Sequence, residues 1–596
     1  MYLSRVQILN FRNFASLDLP LNGKVVMVGE NRIGKSNFIF AIRLVLDVGL
    51  ADAARQLKPT DIWDGCDLTT SPSIEVHIDF SDFDDDPNLV ALLTDYRLAT
   101  DHTIARLSYS FRKNIDVVGA PTSDADYSFK VYGGGDETRS IRNDVRRRIC
   151  LDVLGALRDA ESELRTWRSS PLRPLLDDAV GKVEKADLDA VAADMLTATT
   201  KLSDLAPIKA LDADLRSQVA ALAGPSQDVK TKLGFAPTDP VRLFRSIGLL
   251  IDDGKRGISE ASLGSANLVL LTLKLAEFDW RRSKNERNYT LLAIEEPEAH
   301  LHPQLQRSVF QKLFAPDPSG THGLLVSTHS TSIASVAPIG AIVVLRASSD
   351  TGTRGYSLAR LKLTPPELED LQRYLDTTRA EILFSRGVIF VEGDAEEALL
   401  PVFAKTCGYD LDRLGITVCS VGGVNFRPYV KLAACLALPW AVLTDWDPLD
   451  GTKPPLGRKR AIDLMNCIRE ISGEGPLADT EVATLTADEN RLRVEAGSKG
   501  IFLNNSTLEV ELADTPDLTA ALLTILEGWG FGAVRRKRLA QWKLDPKTIV
   551  PEQLLSMIGD VGKGRLAGRL AAKAISLNPP DYITAAIKHV VNNAQS

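Results

Sequence analysis

The six cysteines of this 596-residue chain (Cys66, Cys150, Cys407, Cys419, Cys435 and Cys467) include no CxxC pair. That excludes a cysteine zinc cluster and a disulfide framework, and leaves six small buried side chains. No apolar run approaches a membrane span and no signal-peptide pattern follows Met1, so the chain is expected in the cytoplasm. Positive charge is not in excess either. Asp and Glu number 78 against 70 Lys and Arg, a net charge of −8, which argues against a uniformly basic coat for nucleic acid while permitting a local basic groove. There is no internal repeat and no low-complexity tract. What is present is length: a chain of this size is too long for one core and divides into two or three domains.

The segment Gly29-Glu30-Asn31-Arg32-Ile33-Gly34-Lys35-Ser36 follows the apolar run Val25–Val28 and precedes an amphipathic stretch. Strand, Gly-rich loop and helix in that order make a phosphate-binding loop. Gly29 and Gly34 let the backbone curl with its N–H groups inward at Asn31 and its neighbours. Lys35 is placed for the β and γ phosphates and Ser36 for Mg²⁺. A second apolar run, 290–294, ends in Glu295-Glu296, where Glu295 is suited to the Mg²⁺ shell and Glu296 to the attacking water. A third, 323–327, leads to Ser327-Thr328-His329-Ser330, with His329 where a γ-phosphate sensor would sit. Ser262-Leu263-Gly264-Ser265 stands just before a helix, and Ser262 and Gly264 are candidate phosphate donors or a plain helix cap.

Around these motifs the chain alternates apolar and polar residues at 2–8, 73–80 and 105–112, which predicts a β layer. The stretch from about 142 to 222 has helical spacing of leucine and alanine and predicts an inserted helical arm whose apolar faces need a partner. The expected class is α/β multidomain. The expected organisation is an ATPase domain over 1–141 and 236–365, a helical dimerisation insertion over 142–235, a linker at 366–386 marked by Pro365-Pro366, and a separate α/β domain over 387–596.

In that last domain the buried run 388–391 ends in Glu392-Gly393-Asp394, with Glu396 and Glu397 opening a helix. Trp440–Thr444 ends in Asp445-Trp446-Asp447, and between them lies the Gly turn Val421-Gly422-Gly423. If the two runs are neighbouring parallel strands, their C-terminal ends bring Glu392, Glu396, Asp445 and Asp447 together. Such a set repels itself unless a cation sits within it, and hard oxygen ligands suit Mg²⁺ or Mn²⁺.

The phosphate loop, Glu-Glu-Pro-Glu-Ala-His-Leu-His-Pro and Ser-Thr-His-Ser resemble the ABC-type ATPases of the RecF/SMC group. The Glu392, Gly-turn and Asp445-x-Asp447 series resembles a TOPRIM domain. The two together are similar to the OLD (overcoming lysogenization defect) family. That resemblance implies ATP with Mg²⁺ at a composite site, in which one protomer's loop faces another's signature segment near Ser262 and Gly264, with Gln56 as candidate Q-loop glutamine. It also implies a two-metal nuclease site with a further acid, Glu509 or Glu511, taken as lying on one face of a strand, and a lysine, Lys563, on a Gly-flanked turn. The implied activity is a DNA endonuclease or nickase that dimerises. The chain looks most like the branch working beside a UvrD-like helicase in Gabija phage defence. Arg458-Lys459-Arg460 and Arg535-Arg536-Lys537-Arg538 are candidates to line a DNA path; Arg146-Arg147-Arg148 reads as a solvated face. Two rivals stand beside this reading: a RecF/SMC-like repair clamp without nuclease activity, and a TOPRIM topoisomerase or primase.

Overall fold

β1 (Tyr2–Phe11) and β2 (Phe14–Pro20) form an antiparallel pair that leads into β3 (Val25–Gly29), as the alternation predicts. The computed structural model describes residues 1–595 apart from 115, 118–120, 122, 156–169, 224–231, 234–243, 245–246, 300, 316–321, 349 and 448–453. The strands that follow are β4 (Ile74–Ser81), β5 (Ala105–Lys113), β6 (Tyr127–Gly133), β7 (Asp136–Ser140), β8 (Ile149–Leu154), the short pair β9 (Leu250–Ile251) and β10 (Arg256–Gly257), β11 (Tyr289–Glu295), β12 (His322–Thr328), β13 (Ile342–Ser348) and β14 (Gly352–Ser357). Except for β9 and β10 they join in one 12-stranded sheet, in the order β7-β6-β5-β4-β1-β2-β14-β13-β3-β12-β11-β8.

The β13-β3-β12-β11-β8 half is parallel and carries the nucleotide motifs. β3 is buried along its whole length, and Val25, Val26, Met27 and Val28 are fully enclosed. Each contributes roughly 1.5–3 kcal/mol by burial, which fixes where the next loop starts. The helix Lys35–Leu46 then buries Phe38, Ile39, Ile42, Val45 and Leu46 at helical spacing. Because β12 lies between β3 and β11, the phosphate loop, Thr328-His329 and Glu295-Glu296 leave the sheet at one edge.

Two boundaries differ from the sequence reading. Residues 149–154, expected inside the helical arm, are β8, paired parallel with β11. The compact units are Met1–Leu154 with Tyr289–Ser596, and Gly155–Asn288. The described residues from 247 to 288 thus fall in the second unit, with the arm's helices, rather than with the ATPase sheet. Much of 224–246, including Leu243 where the ATPase domain was expected to resume, lies outside the described residues. Within the second unit the helices Lys185–Ser203 and Ala206–Ala223 and the turn between them expose Leu196, Leu202, Leu205 and Leu211. Pro365-Pro366 is the start of the helix Pro365–Tyr374, capped by Thr364 with Glu367, rather than a plain linker.

The C-terminal α/β part has β15 (Gly387–Val391), β16 (Ile416–Ser420), β17 (Trp440–Thr444) and β18 (Ile501–Leu503), all parallel, in the order β16-β15-β17-β18. β15 and β17 are neighbours, as the convergence of their terminal acids requires.

Candidate nucleotide and metal sites

Gly34 takes φ 104° at the start of the helix Lys35–Leu46, and a Cβ there would lie 2.1 Å from Asn13 Nδ2. Glycine is needed for both reasons. Asn13 donates to the Ile33 carbonyl (2.9 Å) and to Thr353 Oγ1 (2.7 Å), and Asn37 donates back to Asn13 Oδ1 (2.6 Å), so the loop is braced from outside its own motif. Lys35 is buried and donates to the carbonyls of Gly29 and Glu30, both at 2.9 Å. Burial brings its amine down to about 8, against the pull of Glu296 and Glu298. Ser36 Oγ donates to Glu295 Oε2 at 2.9 Å, which joins the two residues expected to share Mg²⁺. A cleft of about 320 Å³ opens here, lined by Asn31, Gly34, Lys35, Ser36, Glu296 and His329.

Glu296 holds the left-handed conformation (φ 44°), uncommon for a non-glycine residue, and its side chain is exposed into that cleft. His329 Nε2 lies 3.9 Å from Glu296 Oε1 and is buried without a hydrogen-bond partner. Burial, then Lys35, lowers the imidazole pKa, so the ring stays neutral. The residue that orders this corner carried no assigned role in the sequence reading. Glu298 accepts from Thr328 Oγ1 (2.9 Å) and the His329 N–H (2.6 Å), while Gln306 accepts from Ser330 Oγ (2.6 Å). Within its own unit, Ser262 caps the helix Leu263–Ser283 by accepting from the Ser265 N–H, and Gly264 is buried on it. The amide of Gln56, the candidate Q-loop glutamine, donates to the Tyr127 carbonyl in the sheet. His300 lies outside the described residues.

At the end of β15, Glu392 Oε1 accepts from Thr444 Oγ1 (2.5 Å) and from the Asp445 N–H (3.0 Å) at the end of β17. Asp445 Oδ1 accepts from Asn504 Nδ2 (2.6 Å) and the Leu508 N–H (3.2 Å), and Asn504 Oδ1 takes the Trp446 N–H (2.9 Å). Asn504, buried just beyond β18, thus ties three segments together, and no local motif announces it. Glu396 is buried in the first turn of the helix Asp394–Thr406. Burial first, then Glu392, pushes Asp445 up to about 8. Burial, then Glu509 and Glu392, pushes Glu396 up to about 7. Tyr582 beside them is held protonated, its pKa raised well above the ordinary value by burial and then by Asp445 and Glu396.

Glu509 and Glu511 are not on a strand. Both belong to the helix Leu508–Asp514, where residues two apart point about 200° from each other. Glu509 turns inward: it is 3 % exposed, its Oε1 is 3.0 Å from Lys563 Nζ, and its Oε2 has no partner. Glu511 instead accepts from the Asn505 N–H at 2.6 Å. Lys563 is the first residue of the helix Lys563–Ala571, after Gly562 at φ 90°. Burial opposes its charge, but Glu509, with Asp445 and Glu396 behind it, outweighs that and raises its pKa.

Of the basic clusters, Arg460 lies inside the acid set. Its Nη2 is 3.5 Å from Glu392 Oε1 and 3.5 Å from Asp447 Oδ2, and it donates to the Asp445 carbonyl. Arg458 lies 5.8 Å from the Trp446 ring centroid, with Arg493 at 4.4 Å. Arg460 is therefore turned to the acids, while Arg458 is half-buried and Lys459 exposed. Arg535 pairs with Asp560, while Arg536 and Lys537 stay exposed on the helix Ala533–Leu544.

The OLD-like TOPRIM model (overcoming lysogenization defect protein-like, TOPRIM domain) matches residues 383–447, and an AAA ATPase domain model matches 178–334. The OLD nuclease of Thermus scotoductus is 25 % identical over 457 residues, 75 % of this chain and 83 % of that protein. The endonuclease GajA of Bacillus cereus is 21 % identical, with 80 % of each chain covered. The C-terminal region of the Burkholderia pseudomallei OLD protein is 40 % identical over 99 % of its length, covering 35 % of this chain with a TM-score of 0.31. An ATPase domain followed by a TOPRIM domain, joined to these identities, means that the chain belongs to the OLD family.

Proposed function

We propose that the chain is an ATP-binding, divalent-metal-dependent DNA endonuclease or nickase. The observation that carries this is the acid set at the C-terminal edge of the TOPRIM sheet. Glu392, Glu396, Asp445, Asp447 and Glu509 share one region, with Lys563 and Arg460 as cations against them. Two of the acids are pushed into the neutral range and Glu509 keeps a buried oxygen without a partner. A site so short of positive charge fits hard divalent cations. Among the described residues no three His, Cys, Asp or Glu side chains stand as a finished metal cage, so binding there needs these side chains to regroup. Bound to them, Mg²⁺ or Mn²⁺ supplies positive charge at the attacking and leaving oxygens of a phosphodiester. Asn504 orients Asp445, Thr444 orients Glu392, and Lys563 offers an ammonium to the developing phosphate charge.

The phosphate loop with Ser36, Glu295, Glu296 and His329 supports ATP and Mg²⁺ binding, with Glu296 beside the attacking water. A homodimer, in which the Ser262–Gly264 segment of a second copy completes that site, is supported by the exposed leucines of the arm. Similarity to the endonuclease GajA supports the endonuclease activity, and work in phage defence beside a UvrD-like helicase is what the resemblance of the sequence implies. The repair-clamp reading leaves the acid set without a purpose. A topoisomerase needs a tyrosine nucleophile, and Tyr582, the tyrosine beside the acids, is held protonated by its surroundings.

The test is cleavage of supercoiled plasmid by Asp445→Ala and Glu392→Ala proteins in Mg²⁺ or Mn²⁺. Both are expected to lose cleavage by at least about 100-fold while remaining folded, and EDTA stops the unaltered protein. Undiminished nicking by the purified Asp445→Ala protein refutes the assignment.

A further inference from the structure

We propose that Arg460 is the nuclease site's resident counter-ion: it occupies the Glu392–Asp447 edge, and a divalent cation entering there exchanges with its guanidinium. This rests on the nuclease reading of the same carboxylates and goes beyond it, because it assigns a residue outside the matched TOPRIM segment a control over metal affinity.

The placement is built in. The helix Leu456–Ile471 starts against the strand end that bears the acids: the Leu456 N–H donates to the Asp447 carbonyl (2.6 Å) and the Gly457 N–H to the Trp446 carbonyl (2.9 Å). A Cβ on Gly457 would stand 2.4 Å from the Asp445 carbonyl oxygen, so only glycine permits this approach. Arg460 is one turn further on. Side chains lean toward the helix N-terminus, so its guanidinium is directed back at the acids. The side chain is 14 % exposed.

The grip is loose where it matters. One nitrogen, Nη2, serves Glu392, Asp447 and the Asp445 carbonyl; both carboxylates are at 3.5 Å, and Nε is buried without a partner. Charge-assisted hydrogen bonds to carboxylates are shorter, about 2.7–2.9 Å. Arg106 shows the locked alternative in this protein, gripping Asp79 with two nitrogens at 2.6 and 2.7 Å. Arg460 therefore neutralises its carboxylates by proximity without closing a fork on either. A hard dication binds carboxylate oxygens at about 2.0–2.2 Å and outcompetes a guanidinium held this way. The exchange is balanced: a dication arrives, a monocation withdraws, and no bond other than these contacts is made or broken. The competition weakens metal binding at this edge and sets the concentration at which it fills.

Calorimetric titration of Mn²⁺ into the full chain tests this. Arg460→Gln is expected to bind Mn²⁺ roughly tenfold more tightly than the unaltered protein, and Arg460→Lys, which keeps the charge, to stay near it. The gain is expected to vanish when Asp447→Asn is present as well. A purely structural role predicts the opposite, weaker binding. If Arg460→Gln does not fold, Arg460→Met supplies a neutral chain of similar reach. A folded neutral variant that binds Mn²⁺ no more tightly overturns the proposal. If the unaltered protein cuts DNA and binds Mn²⁺ while the variant gains nothing, the Arg460 inference alone fails. If the unaltered protein binds no Mn²⁺, the nuclease reading fails with it.

Discussion

Replacing Gly457 by alanine adds one methyl group against the backbone of the acid-bearing strand end and should disable cleavage. Its Cβ would lie 2.4 Å from the Asp445 carbonyl oxygen, 2.8 Å from Trp446 Cα and 2.9 Å from the Trp446 carbonyl oxygen, all backbone atoms that no rotamer change can move. Restoring an ordinary separation shifts the helix start or the strand end by about 1 Å. Either shift turns Asp445 away from Asn504 and out of register with Glu392. Overpacking of this kind costs about 1–3 kcal/mol of stability. A displacement of about 1 Å in a reacting constellation costs on the order of 100-fold in rate. The assay is the initial rate of plasmid nicking at saturating Mn²⁺, with circular dichroism confirming the fold and labelled-ATP binding reporting on the distant phosphate loop. Cleavage should fall about 100-fold while ATP binding is unchanged. A folded Gly457→Ala protein that nicks within about threefold of the unaltered rate refutes the claim that this close approach sets the acid geometry.

The phosphate-loop geometry predicts that Lys35→Ala loses labelled-ATP binding, whereas Glu296→Gln keeps binding and loses phosphate release; normal hydrolysis by the latter would place the water-orienting acid elsewhere. His77, hydrogen-bonded to Ser108 Oγ at 2.9 Å, is lowered to about 4, chiefly by burial and then by Arg106. The unfolded chain therefore takes up the proton first. The His77 contribution to stability should be level above about pH 6.5 and fall by up to about 1.4 kcal/mol per unit from there to about pH 4, a difference that urea titrations of the unaltered and His77→Gln proteins should resolve. Light scattering coupled to size exclusion should give a dimer mass with and without ATP; a monomer at micromolar concentration refutes the arm as a dimerisation element.

The nucleotide motifs were legible because each is a contiguous run whose chemistry depends on its own backbone, and the parallel order of β3, β12 and β11 then gathers them at one edge. Glu392 and Asp445 were legible for a related reason: buried apolar runs ending in acids imply neighbouring parallel strands, and β15 and β17 are neighbours. Two misreadings share a cause. Thr507-Leu508-Glu509-Val510-Glu511 alternates like a strand, yet Leu508 and Leu512 are buried four residues apart, and packing of that face chose the helix. Residues 149–154 are a short apolar run after a helical stretch, and only pairing with β11, remote in sequence, makes them a strand.

Residues that escaped notice act on partners far along the chain. Asn13 braces Gly34 and Thr353, Glu298 holds the His329 N–H, and Asn504 reaches back 59 positions to Asp445. Asparagine and arginine are ordinary in loops and on helix faces, so neither type signals a site by itself. Arg460 did stand within a noticed basic cluster, which the sequence leaves open between a solvated face and a DNA path, both of them facing outward. The overlooked signal was Gly457. A glycine in the first turn of a helix weakens that helix unless something must come close, and here it is the acid-bearing strand end itself. An arginine three residues later is thereby committed to the carboxylates, and Arg460, Glu392 and Asp447 become parts of one electrostatic unit.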